Sequence, residues 1–296
     1  MENRKSPNSI SRRHFIGSMI AASAAGALLS ACNSSKWQIG IYTRPFNKMD
    51  YLESFDVMAE AGFKYVGLMS HKGGRVIHKD TTIEEAARIG EEAKSRGLTI
   101  ASLSGHSYDR KKSVEENIAD LKLLVNNCEA CKSPFLMFNG MSAPNFVDPY
   151  YKTIAECCDY AASKKIGFTL KPHGGTNATG ADCRKLIEKV GHKNFTLWYD
   201  PGNIYYYSNG EIDPVKDAAD VDGLLTGMCI KDFRMPKDVN VTPGTGMVDF
   251  PALFARLRQG GLKGGPLIIE CLNTGEKDYL LSEARKAREF LEAVTA

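Results

Sequence analysis

Ionisable side chains recur in this sequence directly after short apolar segments rich in aliphatic and aromatic residues. Asp200, Lys231 and Glu270 each follow such a segment, and Lys171 and His173 end another. Placing these groups in a protein interior costs free energy unless they pair, bind a metal or serve a substrate. A histidine or carboxylate can act as a general base, and ammonium groups can stabilise developing negative charge. The residues that we assign to catalysis are therefore Lys171, His173, Lys231 and Glu270.

Other polar residues occupy corresponding positions after further apolar segments. The residues that we assign to substrate binding are Arg44, His106, Asn203, Asp232 and Arg234. Asn139 ends another such segment and has no assigned role. The run Tyr205-Tyr206-Tyr207 is compatible either with stacking on a sugar ring or with packing beside the site. Together these residues predict one polar face built from many separate segments.

The apolar segments alternate with amphipathic ones, which indicates β-strands alternating with α-helices. Strands are predicted at residues 37–43, 65–70, 99–105, 135–139, 167–173, 195–200, 226–233 and 266–271. The helices that follow them are predicted at residues 51–61, 83–96, 114–131, 150–165, 180–190, 214–224, 251–259 and 279–294. Eight such units within residues 37–296 predict a single α/β domain, a (β/α)₈ TIM barrel, whose active site forms at the C-terminal ends of the strands. A doubly wound open sheet is the alternative, but it favours a glycine-rich phosphate loop where this chain has Thr43-Arg44-Pro45-Phe46.

Residues 1–31 have the composition of an export leader and are excluded from the predicted domain. A basic start precedes an apolar run at residues 16–29, which is too short for a stable membrane anchor. Ser11-Arg12-Arg13-His14-Phe15-Ile16-Gly17 resembles a twin-arginine signal, and Leu29-Ser30-Ala31-Cys32 resembles a lipobox that would make Cys32 the lipidated first residue. An ordinary secretory leader with a chance cysteine is the alternative. We therefore expect an exported bacterial lipoprotein, periplasmic or attached to the outer membrane, that contacts membranes only through a lipid anchor.

Charge and cysteine content narrow the classes of partner. The chain has 38 basic and 35 acidic residues, and residues 1–31 contain four basic and one acidic, which leaves 34 of each in the remainder. A nucleic-acid partner usually requires a basic surface, so we exclude that class. Seven cysteines follow Cys32 and lie within apolar patterns. Cys128-Glu129-Ala130-Cys131 belongs to an apolar helical stripe, so we expect core packing there and not redox or zinc chemistry.

Five motifs, taken together and in order, resemble those of the xylose isomerase-like sugar isomerase/epimerase superfamily. They are Lys171-Pro172-His173-Gly174-Gly175, Tyr199-Asp200-Pro201-Gly202-Asn203, Cys229-Ile230-Lys231-Asp232-Phe233, Gly244-Thr245-Gly246-Met247-Val248-Asp249-Phe250 and Ile268-Ile269-Glu270. The resemblance covers residues 37–296 and is specific to the superfamily, though not to one reaction. It implies an enzyme that moves a proton beside the carbonyl of a small carbohydrate.

The resemblance also implies a divalent metal held by Glu, Asp, His and Glu on the fifth to eighth strands. Asp200 and Glu270 match two of these ligand positions, whereas Lys171 and Cys229 stand at the other two. The usual glutamate position on the second strand holds Gly67. Because two carboxylates alone bind a hard dication weakly, we leave the cofactor open between no metal and Mn²⁺, Mg²⁺ or Zn²⁺.

Two arrangements of this incomplete ligand set follow from the residue types. In the first, Lys171 pairs with Asp200 and Glu270, and its ammonium group holds a substrate oxygen in the metal's place. In the second, His173 and Cys229 join the two carboxylates in a zinc-like site. We expect weak or absent classical metal binding.

The expected reaction is isomerisation or epimerisation of a sugar or keto sugar. A β-elimination from a 3-keto glycoside, by a lyase or hydratase, is the alternative that shares the same proton abstraction. A non-catalytic sugar-binding lipoprotein that has lost the metal site is a further alternative. The oligomeric state does not follow from the sequence.

Overall fold

Eight short apolar segments form the strands of a closed, all-parallel barrel in the computed structural model, which describes residues 36–105 and 108–296. The strands are β1 (Trp37–Tyr42), β2 (Tyr65–Leu68), β3 (Thr99–Ser104), β4 (Phe135–Phe138), β5 (Gly167–Leu170), β6 (Phe195–Tyr199), β7 (Leu225–Ile230) and β8 (Gly265–Ile269). Neighbours in sequence are neighbours in the barrel, and β8 pairs with β1 to close it. The predicted (β/α)₈ barrel is therefore confirmed.

Amphipathic helices surround the strands because each buries one apolar face against the barrel. They are α1 (Tyr51–Glu60), α2 (Ile83–Ser95), α3 (Val114–Ala130), α4 (Val147–Ser163), α5 (Gly180–Val190), α6 (Pro201–Tyr207), α7 (Pro214–Asp217), α8 (Phe250–Gln259) and α9 (Lys277–Thr295). In the last of these the buried residues are Leu280, Glu283, Ala284, Ala287 and Leu291. Short 3₁₀ helices lie at Arg44–Phe46, Pro144–Phe146 and Ala218–Val221, and a small hairpin joins Ser70–His71 to Gly74–Arg75. Within the described residues, no helix is long and apolar enough to cross a bilayer.

The region after β6 differs from the prediction of one helix at residues 214–224. The helix α7 covers only Pro214–Asp217 and passes into the 3₁₀ helix, while the unpredicted α6 begins directly after the strand. The Asp200 side chain accepts a hydrogen bond from the backbone N–H of Asn203, 3.0 Å away, and Pro201 occupies the first turn. An aspartate cap followed by proline is a strong helix start, and the sequence prediction overlooked it.

Strands β5 and β7 end earlier than predicted, at Leu170 and Ile230. Lys171 and Lys231 are consequently the first residues beyond the strands, where the chain turns away from the barrel wall. The backbone N–H of Lys171 still bonds the carbonyl of Phe138, at 3.1 Å, so the lysine keeps the orientation of a strand residue. This position directs its side chain to the C-terminal opening of the barrel.

The barrel interior below this opening is filled by a separate apolar cluster. It consists of Tyr42, Ala101, Met137, Trp198, Cys229 and Ile268, all buried. The seven described cysteines are buried and free of disulfides, and Cys128 and Cys131 lie in the main core. Core packing, as expected, accounts for the C-x-x-C motif.

Candidate active site

Four charged side chains from the ends of β5 to β8 form one buried group, here called the ionic cluster: Lys171, Asp200, Lys231 and Glu270. Each side chain is at most 5% exposed. Lys171 Nζ lies 3.2 Å from Asp200 Oδ2 and also donates to Glu270 Oε2. Lys231 Nζ lies 3.1 Å from Asp200 Oδ2 and 2.8 Å from Glu270 Oε1. The two lysines therefore bridge the two carboxylates, as the sequence predicts for Lys171.

Neighbouring groups use the remaining hydrogen-bonding capacity of this cluster. Asn203 accepts from Lys231 Nζ through its side-chain oxygen at 2.9 Å, and its amide nitrogen donates to the carbonyl of Pro172 at 2.7 Å. Asp200 Oδ1 accepts from the backbone of Asn203, so this carboxylate also serves as the cap of α6. Asn203 thus helps to hold the ionic cluster together, and its assignment to substrate binding stays a prediction.

The opposite charges of the cluster keep one another ionised in spite of burial. Burial lowers the pKa of Lys171, but Glu270 and Asp200 outweigh it, and the pKa lies above the ordinary lysine value. The same balance between burial and the two carboxylates raises the pKa of Lys231 well above that value. Burial would raise the pKa of Glu270, but Lys171, Lys231 and Arg44 hold it well below its usual range. The lysines are therefore cations and Glu270 is a carboxylate throughout the neutral range.

His173 borders the cluster and has different protonation behaviour. Burial, assisted by the charges of Lys171 and Lys231, lowers the pKa of His173 to about 4. Its Nδ1 lies 3.3 Å from the hydroxyl of Tyr207, with the two rings 5.5 Å apart. Within the described chain, Nε2 has no hydrogen-bond partner. The imidazole is thus neutral at pH 7 and able to accept a proton.

The other predicted substrate-binding residues differ in whether they contact the ionic cluster. Arg44 is partly buried, and its guanidinium donates to the backbone carbonyl of Glu270, at 3.3 Å, and contacts Cys271 Sγ. Arg44 therefore lies beside the ionic cluster. Arg234 is exposed and joins it by no side-chain bond in the part of the chain that is described. His106 lies outside the described residues, as does Cys32 in the leader at residues 1–31.

Asp232 has a structural role instead of the predicted substrate-binding one. Its buried carboxylate accepts four backbone N–H bonds of 2.8 to 3.0 Å, from Phe233, Gly244, Gly246 and Val248. We call this arrangement the amide cradle. Because both oxygens are already engaged, Asp232 shapes the loop between β7 and α8 and has no free acceptor for a substrate.

Asn139, to which no role was assigned from the sequence, has a buried side-chain oxygen that points to ligand binding. Its Oδ1 is buried and has no hydrogen-bond partner in the described structure, while Asn177 donates to its backbone carbonyl at 3.0 Å. A buried acceptor without a partner is costly, and such groups concentrate where a ligand completes the bonding. Its place directly after β4 on the catalytic face was visible in the sequence, but its missing partner was not.

The residues present do not fit a divalent metal. Ligand atoms of Asp200, Cys229 and Glu270 lie within 4.8 Å of one another, which is compact enough for an ion. However, Lys171 and Lys231 already contact both carboxylates and would repel a dication. Burial also raises the pKa of the Cys229 thiol well above its ordinary value, so the sulfur is protonated and not the thiolate that metals bind.

Two further positions count against the usual metal site. His173 does not belong to the compact group of ligand atoms, so the zinc-like arrangement is not formed among the described residues. At Gly67, an added Cβ would lie 2.2 Å from the ring of Tyr42, which fills the space. The Tyr42 hydroxyl donates to Ser102 Oγ at 3.0 Å, below the ionic cluster. Lysine charge and an aromatic ring thus replace ligands that the resemblance implies.

Comparison with known proteins agrees with this architecture. The sequence profile described as "Xylose isomerase-like TIM barrel" matches residues 55–294. The chain belongs to this family. Its sequence is 20% identical over 282 residues to the probable L-ribulose-5-phosphate 3-epimerase UlaE of Mycoplasma pneumoniae, covering 87% of this chain and 90% of that protein.

Solved structures of other proteins share the barrel at low sequence identity. A xylose isomerase-like TIM barrel protein from Mycobacterium smegmatis, in complex with magnesium, has a TM-score of 0.70 at 18% identity, over 88% of this chain and 96% of the other. The probable 3-DHS dehydratase AsbF of Bacillus anthracis has a TM-score of 0.66 at 14% identity, over 86% and 98%. One fold therefore accommodates a protein named as a dehydratase and one that binds magnesium, and the residues of each site must decide its chemistry.

Proposed function

We propose that this protein is a carbohydrate isomerase or epimerase that transfers a proton at the carbon next to a carbonyl. The observation that carries the proposal is the neutral His173 beside the paired ammonium groups of Lys171 and Lys231, at the catalytic end of the barrel. A neutral base next to fixed positive charge is what enolate formation needs. The name of the epimerase relative in Mycoplasma pneumoniae supports the same class.

His173 is the base in this proposal, in preference to Glu270. Both oxygens of Glu270 already contact lysine ammonium groups, so neither is free to take a proton from the substrate. His173 has a free Nε2 within the described structure, and Tyr207 fixes its ring through Nδ1. The imidazole takes the proton from carbon, and the electron pair moves to the carbonyl oxygen beside Lys171. Return of a proton to the opposite face of the same carbon gives epimerisation. Delivery of the proton to the former carbonyl carbon, with transfer of the neighbouring hydroxyl's proton to the former carbonyl oxygen, gives isomerisation.

β-Elimination from a 3-keto glycoside is a second candidate that begins with the same proton transfer. The enolate then expels the oxygen substituent on the adjacent carbon, which leaves with a proton. The likeness in fold to a protein named as a dehydratase supports this candidate. The two reactions differ in their products, since only elimination releases a second molecule.

The test is incubation of the purified protein with a panel of keto sugars and 3-keto glycosides in D₂O. We expect entry of one deuteron at the carbon next to the carbonyl, detected by NMR and mass spectrometry, and no entry with His173→Gln. Release of an alcohol would identify elimination. Tight sugar binding with no deuterium entry across the panel would instead support the sugar-binding lipoprotein.

Export and lipidation are part of the proposal, and they rest on the sequence of residues 1–31 and on Cys32. Fractionation of a bacterium producing the protein tests them. The wild type should appear in the membrane fraction, and Cys32→Ala should appear in the periplasm. Replacing Arg12 and Arg13 by lysine should retain the precursor in the cytoplasm. A wild type that fractionates with Cys32→Ala would contradict the anchor.

A further inference from the structure

The two lysines of the ionic cluster differ in how many of their N–H groups are used. A protonated lysine has three N–H donors. Lys231 Nζ has three partners: it donates to Asp200 and Asn203 at 3.1 and 2.9 Å, and it forms an ion pair with Glu270 Oε1 at 2.8 Å. Lys171 has two acceptors in the described part of the chain, Asp200 Oδ2 and Glu270 Oε2. One N–H of Lys171 is therefore left for another partner.

Every carboxylate oxygen of the cluster has a partner. Of the four carboxylate oxygens on Asp200 and Glu270, three accept from lysines and the fourth accepts from the backbone of Asn203. A metal ion would have to displace ammonium groups to reach these oxygens. Two ammonium charges equal the charge of one divalent ion, so the cluster already contains the positive charge that a metal would supply.

Polarisation of a carbonyl needs positive charge at one fixed point, and of the two lysines in the cluster Lys171 has a donor left to provide it. The cluster holds Lys171 from two sides, and its side chain is 1% exposed. A donor held in place before the reaction, and shielded from water, stabilises an oxyanion more than a mobile one does. Lys231, whose donors are all used, can act only by holding the two carboxylates.

We propose that the remaining N–H of Lys171 binds the substrate's carbonyl oxygen and stabilises the enolate, so that the enzyme operates without a divalent metal. Lys171 is then a catalytic residue, and Lys231 is a positioning residue. In the step itself, the C–H bond breaks, its proton goes to His173, and its electron pair becomes the enolate whose oxygen Lys171 holds. The chemistry in this inference rests on the proposed function. The claim that the cluster does not bind a divalent metal is independent of it.

Calorimetric titration of the purified full-length protein with Mn²⁺ tests the statement about metal. The wild type should show no saturable binding below about 1 mM, whereas typical protein sites for such ions bind far more tightly. Lys171→Glu should bind Mn²⁺ at least about 10-fold more tightly, because it adds a carboxylate beside Asp200 and Glu270. Binding of one equivalent of Mn²⁺ by the wild type at micromolar Kd would overturn the inference. The wild-type titration decides even if a variant fails to fold.

Deuterium exchange tests the chemistry. Lys171→Met should lower the exchange rate by about 10²- to 10³-fold, the loss typical of removing one oxyanion donor. Lys231→Met should also lower it, and Lys231→Arg should recover part of the rate because it keeps charge and donors. Lys185→Met is the matched control. The Lys185 side chain is 75% exposed, and its ion-pair partner is Asp182, which does not belong to the cluster. Equal rates in Lys171→Met and Lys185→Met would contradict the role of Lys171.

The two proposals fail in different ways. Exchange that occurs with the wild type but is abolished by EDTA and restored by Mn²⁺ would keep the proposed function and overturn the metal-free electrophile. Absence of exchange with every sugar, together with absence of Mn²⁺ binding, would overturn the proposed function and leave the statement about metal intact. Exchange that is insensitive to EDTA and lost in Lys171→Met supports both.

Discussion

The ionic cluster and the amide cradle both bury carboxylates at the same end of the barrel, but they stabilise them in opposite ways. Asp200 and Glu270 are neutralised by side-chain ammonium groups of Lys171 and Lys231. The carboxylate of Asp232 is instead held by backbone N–H groups alone. Side-chain partners can exchange one acceptor for another when a substrate arrives, whereas backbone donors are fixed by the fold.

This difference separates a chemical site from a scaffold. Charged partners bring a local field that also acts on nearby groups: burial is the main cause of the lowered pKa of His173, and the charges of Lys171 and Lys231 lower it further. The amide cradle brings no side-chain charge and serves to define one loop conformation. The contrast predicts that equivalent substitutions in the two regions have different effects, mainly on activity in the first and mainly on stability in the second.

The largest effect is expected for Glu270→Gln. The substitution keeps the shape of the side chain but leaves Lys171 and Lys231 with one carboxylate between them. Breaking a buried ion pair costs about 3–5 kcal/mol, and misplacing Lys171 should lower kcat by about 10³-fold. Urea denaturation and turnover measurements check both. Near-normal turnover in a folded Glu270→Gln would contradict the catalytic assignment of the ionic cluster.

A smaller effect, chiefly on stability, is expected for Asp232→Asn. Asparagine has one acceptor oxygen, so about half of the four backbone N–H groups in the cradle lose their partner, at about 1–3 kcal/mol for each buried donor left unsatisfied. We expect a lower urea midpoint and faster proteolysis between residues 234 and 249, with kcat changed less than 10-fold, about 1.4 kcal/mol. Asp249→Asn is the control, since Asp249 is an exposed cap of α8. A loss of kcat as large as that of Glu270→Gln would remove the distinction between the two regions.

The pH dependence of stability and of kcat/KM should reflect the lowered pKa of His173, which burial and the charges of Lys171 and Lys231 produce together. The folded pKa is about 4, below the ordinary value of 6.5, so between these values the unfolded state binds the extra proton. Its contribution to stability is therefore complete above pH 6.5 and is lost as pH falls toward 4. For the free enzyme, kcat/KM should stay level down to about pH 5 and fall with a midpoint near 4.

The His173→Gln variant should lose this part of the pH dependence of the melting temperature. His78→Gln is the control, because His78 is exposed at 52% and lies away from the cluster. Asp232→Asn should leave the acid midpoint of kcat/KM unchanged, since the cradle does not contribute to the pKa of His173. An acid midpoint near 6.5 in the wild type would contradict the low pKa of this histidine.

The smallest effect is expected for Asn139→Leu, which lies outside both regions. Loss of one neutral hydrogen bond to a substrate hydroxyl should raise KM by about 3- to 10-fold and leave kcat nearly unchanged. Removing a buried acceptor that has no partner should keep the melting temperature equal or raise it. Steady-state kinetics and thermal unfolding on the same preparation check the two halves. A lower melting temperature with unchanged KM would show that Asn139 is structural.

The barrel could be predicted because its signals are local and repeated. Alternating apolar and amphipathic segments fix strands and helices, and parallel topology then brings every strand end to one face. The same logic placed Lys171, Asp200, Lys231 and Glu270 together. It failed between β6 and β7, where the capping chemistry of Asp200 and Pro201 starts an additional helix that hydrophobic periodicity does not indicate.

The division of roles among the strand-end residues could not be predicted. Asp200 and Asp232 both follow apolar strands, and nothing in the sequence indicates that backbone N–H groups from a later loop surround only the second. Partner identity depends on how loops far apart in the chain fold over the barrel. For the same reason the sequence did not indicate that the side chain of Asn203 is held by Lys231 and Pro172.

The contact between Tyr42 and Gly67 has a consequence for how this site could change over generations. Any side chain at position 67 meets the Tyr42 ring, 2.2 Å from the place of its Cβ, so a glutamate cannot enter there by one substitution. Shortening Tyr42 first would open a void in a buried layer and cost stability before any benefit appeared. A glutamate at position 67 therefore requires a change at Tyr42 as well, with an unfavourable intermediate between the two substitutions.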